Sequence, residues 1–339
     1  MKEEKRDICL DLTRIIAYIS VICVHFFLNS NFYYVRVIGK PMFAMMIARN
    51  AFMVCVPLFL LLTGYLMSNK EIEITKDYIK YVCKLKYILL VYVLSTCVIL
   101  IFDILYLKEN ISLKDALFNI LGFKQYSWYI NMYIGLYLLI PFLNKILINM
   151  ERKEKLIVTL VLVFLTVSPT IFNIYDFSLN DIFTEIQSSR EYNKVVPDFW
   201  VNIYPITYYF IGAYLREINL KKCNSLKVLL CLIVTVLIFG IYNIWRSYDV
   251  NFVYGAWCDW GSLQNTVNSV LVFILINSIS MTGNRTVTRI MSYISKLTLG
   301  AYLLSYIPDK VIYPKLIETY SMVLLTVGFV RNQSEIFVR

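Results

Sequence analysis

The sequence predicts an all-α, polytopic transmembrane helical bundle of about ten spans with both termini on the inner side. Three observations carry this reading. The 339 residues are 59% hydrophobic and only 17% charged, whereas soluble domains run nearer a quarter charged. The apolar residues come in blocks of roughly 20, the length that crosses hydrocarbon. Lys and Arg fall roughly two to one in favour of the loops on one side, the bias that sets orientation in a membrane.

Residues 10–29 are the first block. A basic flank (Lys2, Lys5, Arg6) precedes it, it has no small-residue cleavage site, and it carries Asp11 and Arg14, so it reads as a retained span and not a removed signal peptide. Residues 43–67 and 87–107 follow, joined by a basic inner stretch with Lys70, Lys76, Lys80, Lys84 and Lys86, and with Tyr78 and Tyr81 interleaved. In residues 112–123, Leu113, Ala116, Leu117, Ile120 and Leu121 share a face, as in a helix lying on the outer membrane surface. Residues 128–148 and 156–175 are the fourth and fifth spans, with Lys145, Arg152, Lys153 and Lys155 between them inside. The outer stretch 176–199 holds Asp176, Asp181, Glu185, Glu191 and Asp198 and is far below independent-domain size. Residues 200–215, 226–245 and 263–281 are spans six to eight. Pro308 and Asp309 interrupt the ninth, 294–313, and the tenth, 316–330, is short before the chain turns polar at Arg331. One integral-membrane domain over residues 1–339, with no soluble domain, is the expectation.

The net charge of +10 is then topological and gives no reason to expect nucleic acid. Eight cysteines without Cys-x-x-Cys spacing, and a single histidine, offer neither a disulfide framework nor a metal site. Cys9, Cys23, Cys55, Cys97 and Cys231 lie in or beside apolar spans, where a thiol acts as a small hydrophobe.

The only histidine, His25, lies in the first span, eleven residues after Arg14. Eleven residues are three helical turns plus roughly 20°, so both side chains leave one face, about 16 Å apart along the axis. Asp11 and Tyr18 fall on the same stripe. Ionisable groups inside a bilayer are costly unless they line a protein interior or a wet cavity, which marks this stripe as functional. The outward-facing aromatics Tyr33, Tyr34, Trp200, Trp257 and Trp260 fit an interfacial belt, and aromatic faces also suit sugar rings.

Four segments carry a resemblance. The first span reads Arg6-Asp-Ile-Cys-Leu-Asp11-Leu-Thr-Arg14, followed after ten residues by His25; the second reads Val56-Pro-Leu-Phe59-Leu-Leu-Leu-Thr63-Gly64-Tyr65. The fourth opens Trp128-Tyr129 and continues to Leu139-Ile-Pro141, and the ninth reads Gly300-Ala-Tyr302-Leu-Leu-Ser305. In this order and spacing they resemble the integral-membrane acyltransferase-3 family, which includes O-acetyltransferases of bacterial cell-surface polysaccharides. The resemblance runs from Arg6 to Pro308. It implies a multi-pass enzyme of a bacterial plasma membrane that moves an acyl group, most often acetyl, from cytoplasmic acyl-coenzyme A to a hydroxyl of a surface glycan or lipid-linked oligosaccharide. Acetyl-coenzyme A is then a substrate, and no tightly bound cofactor is expected. By motif match His25 and Arg14 take the places of the family's essential histidine and arginine, and Thr63 stands where Ser is usual. The family often opens its third span with Arg-x-x-Arg; here Lys80, Lys84 and Lys86 stand in that region and would meet donor phosphate as point charges. Ser127 and Ser305 stand where the family often has further histidines, and serine cannot replace an imidazole in proton transfer.

The chemistry agrees with these residue types. An acceptor hydroxyl must lose its proton as it attacks a thioester, and a neutral imidazole is the natural base. Arg14, Thr63 and backbone N–H groups are candidate donors to the developing oxyanion, but Arg14, three turns from His25, fits the donor's phosphate or pantetheine end better. Asp11 would hold Arg14 through an i, i+3 pair. On the acceptor side the candidates are Tyr33, Tyr34, Trp128 and Trp257. A secondary transporter, or a polysaccharide flippase or polymerase, is the competing reading; against it stand the lack of paired repeats and of matching broken helices.

Overall fold

A computed structural model describes residues 7–123, 125–175, 194–279 and 284–326. Among these residues the regular structure is helical, apart from two isolated bridges, Arg36 with Asn251 and Val37 with Tyr248. The helices are α1 (Ile8–Asn29), α2 (Gly39–Phe52), α3 (Cys55–Met67), α4 (Ile74–Val82), α5 (Leu85–Leu105), α6 (Leu113–Leu121), α7 (Trp128–Ile148), α8 (Arg152–Val167), α9 (Pro169–Phe172), α10 (Tyr204–Arg216), α11 (Ser225–Ser247), α12 (Leu263–Ser278), α13 (Arg285–Leu304) and α14 (Tyr306–Thr326).

Local chemistry explains most of the boundaries. The Asp7 carboxylate caps α1 by accepting from the Cys9 N–H at 2.9 Å. Residues 43–67, expected as one span, are divided at Met53–Val54 into α2 and α3. Pro57 is the cause, because a proline ring clashes with the carbonyl four residues back, here that of Met53. The same rule corrects the ninth and tenth spans. Pro308 sits four residues after Leu304, where α13 ends, and α14 then runs through Pro314 to Thr326. The break therefore falls at Ser305, not beyond residue 313. Ser112 caps α6 as a short helix with Leu113, Leu117 and Leu121 exposed, as a membrane-surface helix requires. Most of the acidic stretch 176–199, and the end of the tenth expected span, lie outside the described residues.

Polarity is arranged for a lipid solvent. Leu90, Leu94, Val98 and Ile101 of α5, Leu160 and Phe164 of α8, and Val234, Ile238 and Ile241 of α11 are exposed, while Asn144, Gln264, Asn265, Asn268 and Asn277 are buried. Six helical stretches among the described residues are long and apolar enough to cross a membrane: Ile8–Asn29, Gly39–Met67, Ile74–Leu105, Trp128–Ile148, Arg152–Phe172 and Ser225–Ser247. This is a helical membrane protein, with small residues at its closest helix crossing. There Gly64 of α3 faces the Tyr209 carbonyl of α10, and Gly212 of α10 faces the Leu61 carbonyl of α3. Asn144 of α7 fastens the end of α3: its amide donates to the carbonyls of Met67 and Lys70 at 2.8 and 2.9 Å, and its oxygen accepts from the Tyr209 hydroxyl.

Candidate active site

α1 runs between two hollows. On one side is a cavity of about 370 Å³ whose walls come from α1, α3, α7 and α13, with Trp260 at its edge. Arg14 and His25 both line it, as do Val21, Val24 and Leu28 of the same helix. Facing them are Phe59, Leu62, Thr63 and Leu66 of α3, and Trp128, Tyr129 and Tyr133 of α7. The walls are mostly apolar, with a few placed polar groups, the usual make-up of a substrate site. One end is basic, with Arg14 and Lys70; the other is aromatic, with Trp128 stacked on Trp260 at 5.8 Å between ring centroids.

Arg14 is held by its own helix and by α13. Its Nη1 lies 3.5 Å from Asp11 Oδ1 and donates to Ser295 Oγ at 3.1 Å, and the Ser295 hydroxyl donates to the same Asp11 oxygen at 2.5 Å. Asp11 is buried behind this arginine and does not line the cavity. Its contact with Arg14 is the one that the i, i+3 spacing predicts. Thr63 does line the cavity, but its hydroxyl donates to the Phe59 carbonyl at 2.8 Å. This is the back-bond to the preceding turn that a threonine makes within a helix.

His25 is fixed more elaborately. Its Nδ1 lies 3.1 Å from Asp309 Oδ2 and 3.3 Å from Ser305 Oγ. The Tyr126 ring packs on the imidazole at 4.0 Å between centroids, and its hydroxyl donates to Asp309 Oδ2 at 2.9 Å. Sequence reading treated Asp309 only as an interruption of a span and missed Tyr126. The pairing joins positions 284 residues apart, so no local periodicity reports it. The available signal was a carboxylate next to a proline inside an expected span.

Lys80 and Lys84 line a second cavity, of about 420 Å³, with Lys70, Glu71, Asp77, Tyr81 and Tyr137. Lys70 and Met67 line both cavities, so the two adjoin at the C-terminal end of α3. Lys70 was counted in the sequence only as one of the inner-loop lysines. Lys86 is separate, exposed with its ammonium 5.2 Å from the Tyr87 ring centre. Among the acceptor-side aromatics, Trp128 lines the first cavity and the other three do not. Tyr34 is exposed, and the Tyr33 hydroxyl accepts from buried Arg49 Nε at 2.9 Å. Trp257 corrects the expected outward belt: it is 3% exposed, with the Arg246 guanidinium 3.9 Å from its ring centre. A buried cation needs such a partner, and this tryptophan supplies it. Tyr18 also departs from the expected stripe; it lines the groove on the other flank of α1. Among the described residues no cluster of three or more His, Cys, Asp and Glu side chains could hold a metal.

The fold and site together define a helical membrane protein with a buried, carboxylate-paired histidine lining a largely apolar cavity. The acyltransferase-3 family model, an acyltransferase domain, matches residues 7–330, and the chain belongs to that family. It is a membrane acyltransferase. No curated protein and no solved structure matches it.

Proposed function

We propose that this protein is an O-acyltransferase that takes an acetyl group from acetyl-coenzyme A on the inner side of a bacterial plasma membrane and places it on a hydroxyl of a cell-surface or exported glycan. The observation that carries the reading is that Arg14 and His25 line one cavity, with a basic end beside the lysine-lined hollow and an aromatic end beyond the histidine. Coenzyme A does not cross a bilayer, so donor and acceptor must meet within such a passage.

In this reading α1, the α2–α3 pair, α5, α7, α8 with α9, and α10 to α14 make ten crossings with N-in, C-in orientation. The Lys and Arg bias supports that orientation. It sets Lys70, Lys80 and Lys84 at the cytoplasmic face, beside the coenzyme A phosphates, with Arg14 above them at the pantetheine end. Trp128 and Trp260 then receive the sugar face.

The reaction follows from the placement. Neutral His25 takes the proton of the acceptor hydroxyl on Nε2 as that oxygen attacks the thioester carbonyl. The C–S bond breaks, the imidazolium returns the proton to the leaving sulfur, and free coenzyme A thiol and an O-acyl ester result.

Two variants test the donor end. Arg14→Ala is expected to raise the KM for acetyl-coenzyme A about tenfold, with kcat within a few-fold of wild type, as loss of uniform binding requires. An unchanged KM removes Arg14 from donor binding. The pair Lys80→Gln and Lys84→Gln is expected to raise that KM about fivefold at low salt while leaving acetyl-pantetheine turnover unchanged, because only the nucleotide end carries the phosphates. Equal losses with both donors would contradict the assignment. Steady-state release of thiol, with de-O-acetylated surface polysaccharide as acceptor, measures both. A transporter would move solute and release no thiol.

A further inference from the structure

We infer that Asp309 is the positioning carboxylate of His25: it fixes the imidazole with its proton on Nδ1, leaves Nε2 as the basic atom, and stabilises the imidazolium that forms during transfer. The inference rests on the base role proposed for His25.

The tautomer follows from what faces Nδ1. Asp309 Oδ2, at 3.1 Å, can only accept when ionised. Ser305 Oγ, at 3.3 Å, also presents a lone pair, because its own proton is donated to the Tyr302 carbonyl at 2.7 Å. Two acceptors at one ring nitrogen make it the protonated one, and the other nitrogen is left with its lone pair. A general base needs that lone pair toward substrate.

The carboxylate is itself held in place. Tyr126 donates to Asp309 Oδ2 at 2.9 Å, and the Asn29 amide donates to the Tyr126 hydroxyl at 3.3 Å and to the His25 carbonyl at 2.8 Å. The donors therefore point one way, from Asn29 through Tyr126 to the carboxylate, with the imidazole N–H as the second donor to it. The Tyr302 hydroxyl ties to the Tyr126 carbonyl and fixes the turn that carries this phenol. Asp309 lies in the first turn of α14, where the helix dipole favours an anion. Its backbone N–H donates to the Ser305 carbonyl at 3.1 Å, so the helix break that Pro308 forces brings Ser305 and Asp309 onto the ring together. On its far side the carboxylate lines the groove between α1, α13 and α14. Among the described residues the titratable groups around the pair include the phenols of Tyr18, Tyr126, Tyr302 and Tyr313 and the Cys23 thiol, uncharged near neutral pH, and the neighbouring Lys310 ammonium lies 5.5 Å from the Tyr306 ring centre. Among the described residues His25 is the basic side chain within 4 Å of the Asp309 carboxylate, and it becomes its ion-pair partner when the ring takes a second proton. A carboxylate buried this deeply is costly without a partner.

The chain has one histidine, so a spectrum of ¹⁵N-histidine-labelled protein, purified through a tag free of histidine, reports this ring alone. Under conditions where its nitrogen shifts report a neutral ring, wild type is expected to show protonated Nδ1 and bare Nε2. Asp309→Ala is expected to show the opposite tautomer or a mixture. With acetyl-coenzyme A and de-O-acetylated polysaccharide, Asp309→Asn should lower kcat about a hundredfold with the KM for acetyl-coenzyme A within twofold, and Asp309→Glu should recover part of kcat. Tyr126→Phe, which keeps the ring and loses the donor, should cost only a few-fold and keeps the test open if Asp309 variants fail to accumulate. Wild-type protein with its proton on Nε2, or an Asp309→Asn enzyme with normal kcat, overturns the inference. So does a Tyr126→Phe enzyme that keeps both the wild-type rate and tautomer. If wild type releases no thiol, the acyl-transfer reading falls instead, and the tautomer still decides the role of Asp309.

Discussion

Replacing His25 by asparagine or alanine is expected to abolish acyl transfer while leaving a folded protein in the membrane. No other imidazole exists in the chain to take over proton transfer. A positioned general base contributes on the order of 10²–10⁴-fold, so the residual rate should fall below what a surface-glycan assay detects. The two variants divide the question. Alanine removes the ring that packs on Tyr126 and leaves the Asp309 carboxylate without the imidazole at Oδ2. Asparagine places an amide N–H near the position of Nδ1, so the contact with Asp309 survives while Nε2 is gone. Equal loss in both variants, with normal amounts of protein in detergent, assigns the effect to the missing base. Retained O-acetylation in either variant removes His25 from the chemistry.

The second large effect is structural. A methyl group on Gly64 would sit 2.1 Å from the Tyr209 carbonyl oxygen, and one on Gly212 would sit 2.2 Å from the Leu61 carbonyl oxygen. Both obstacles are backbone, so no side-chain rotation relieves them; α3 and α10 must move apart. That movement also strains the hydrogen bond from Tyr209 to Asn144, and with it the hold on the Lys70 carbonyl where the two cavities adjoin. Gly64→Ala and Gly212→Ala are each expected to cost more than about 3 kcal/mol, above the usual range for overpacking, because whole helices must shift. Gly135→Ala is the control: its methyl meets nothing within 4 Å, and alanine in a helix interior gains up to about 1 kcal/mol. Thermal melting in detergent separates the cases. A Tm for Gly64→Ala equal to that of Gly135→Ala would show that this crossing is looser than described.

This crossing explains one motif residue that sequence reading could only match. Gly64 follows Thr63 in the Thr-Gly-Tyr segment because only a residue without Cβ lets α10 approach there. The fold class was legible from apolar block lengths, and Arg14 and His25 were placed on one face by spacing alone; the cavity receives both. What escaped was set by tertiary packing. The helix break at Met53–Val54 was readable from Pro57, and the apolar run around it is still one membrane-length stretch, Gly39–Met67. Trp257 looks like any interfacial tryptophan until Arg246 is seen against its ring. Asp309 could be noticed as an anomaly, yet its partner lies in the first helix and becomes evident only when α14 packs beside α1. Tyr18 departs from the expected stripe because α1 has a hollow on each flank, and the stripe runs along the edge between them.

The most direct measurement places donor and acceptor on opposite sides of a membrane. Protein reconstituted in vesicles would receive radiolabelled acetyl-coenzyme A on the face carrying Lys70, Lys80 and Lys84, and de-O-acetylated surface polysaccharide on the other. The account predicts label on the polysaccharide, matched by free thiol on the donor side, with neither in vesicles of His25→Asn protein. Label that stays with the donor in wild-type vesicles, or crosses to the glycan equally well without the imidazole, would contradict it.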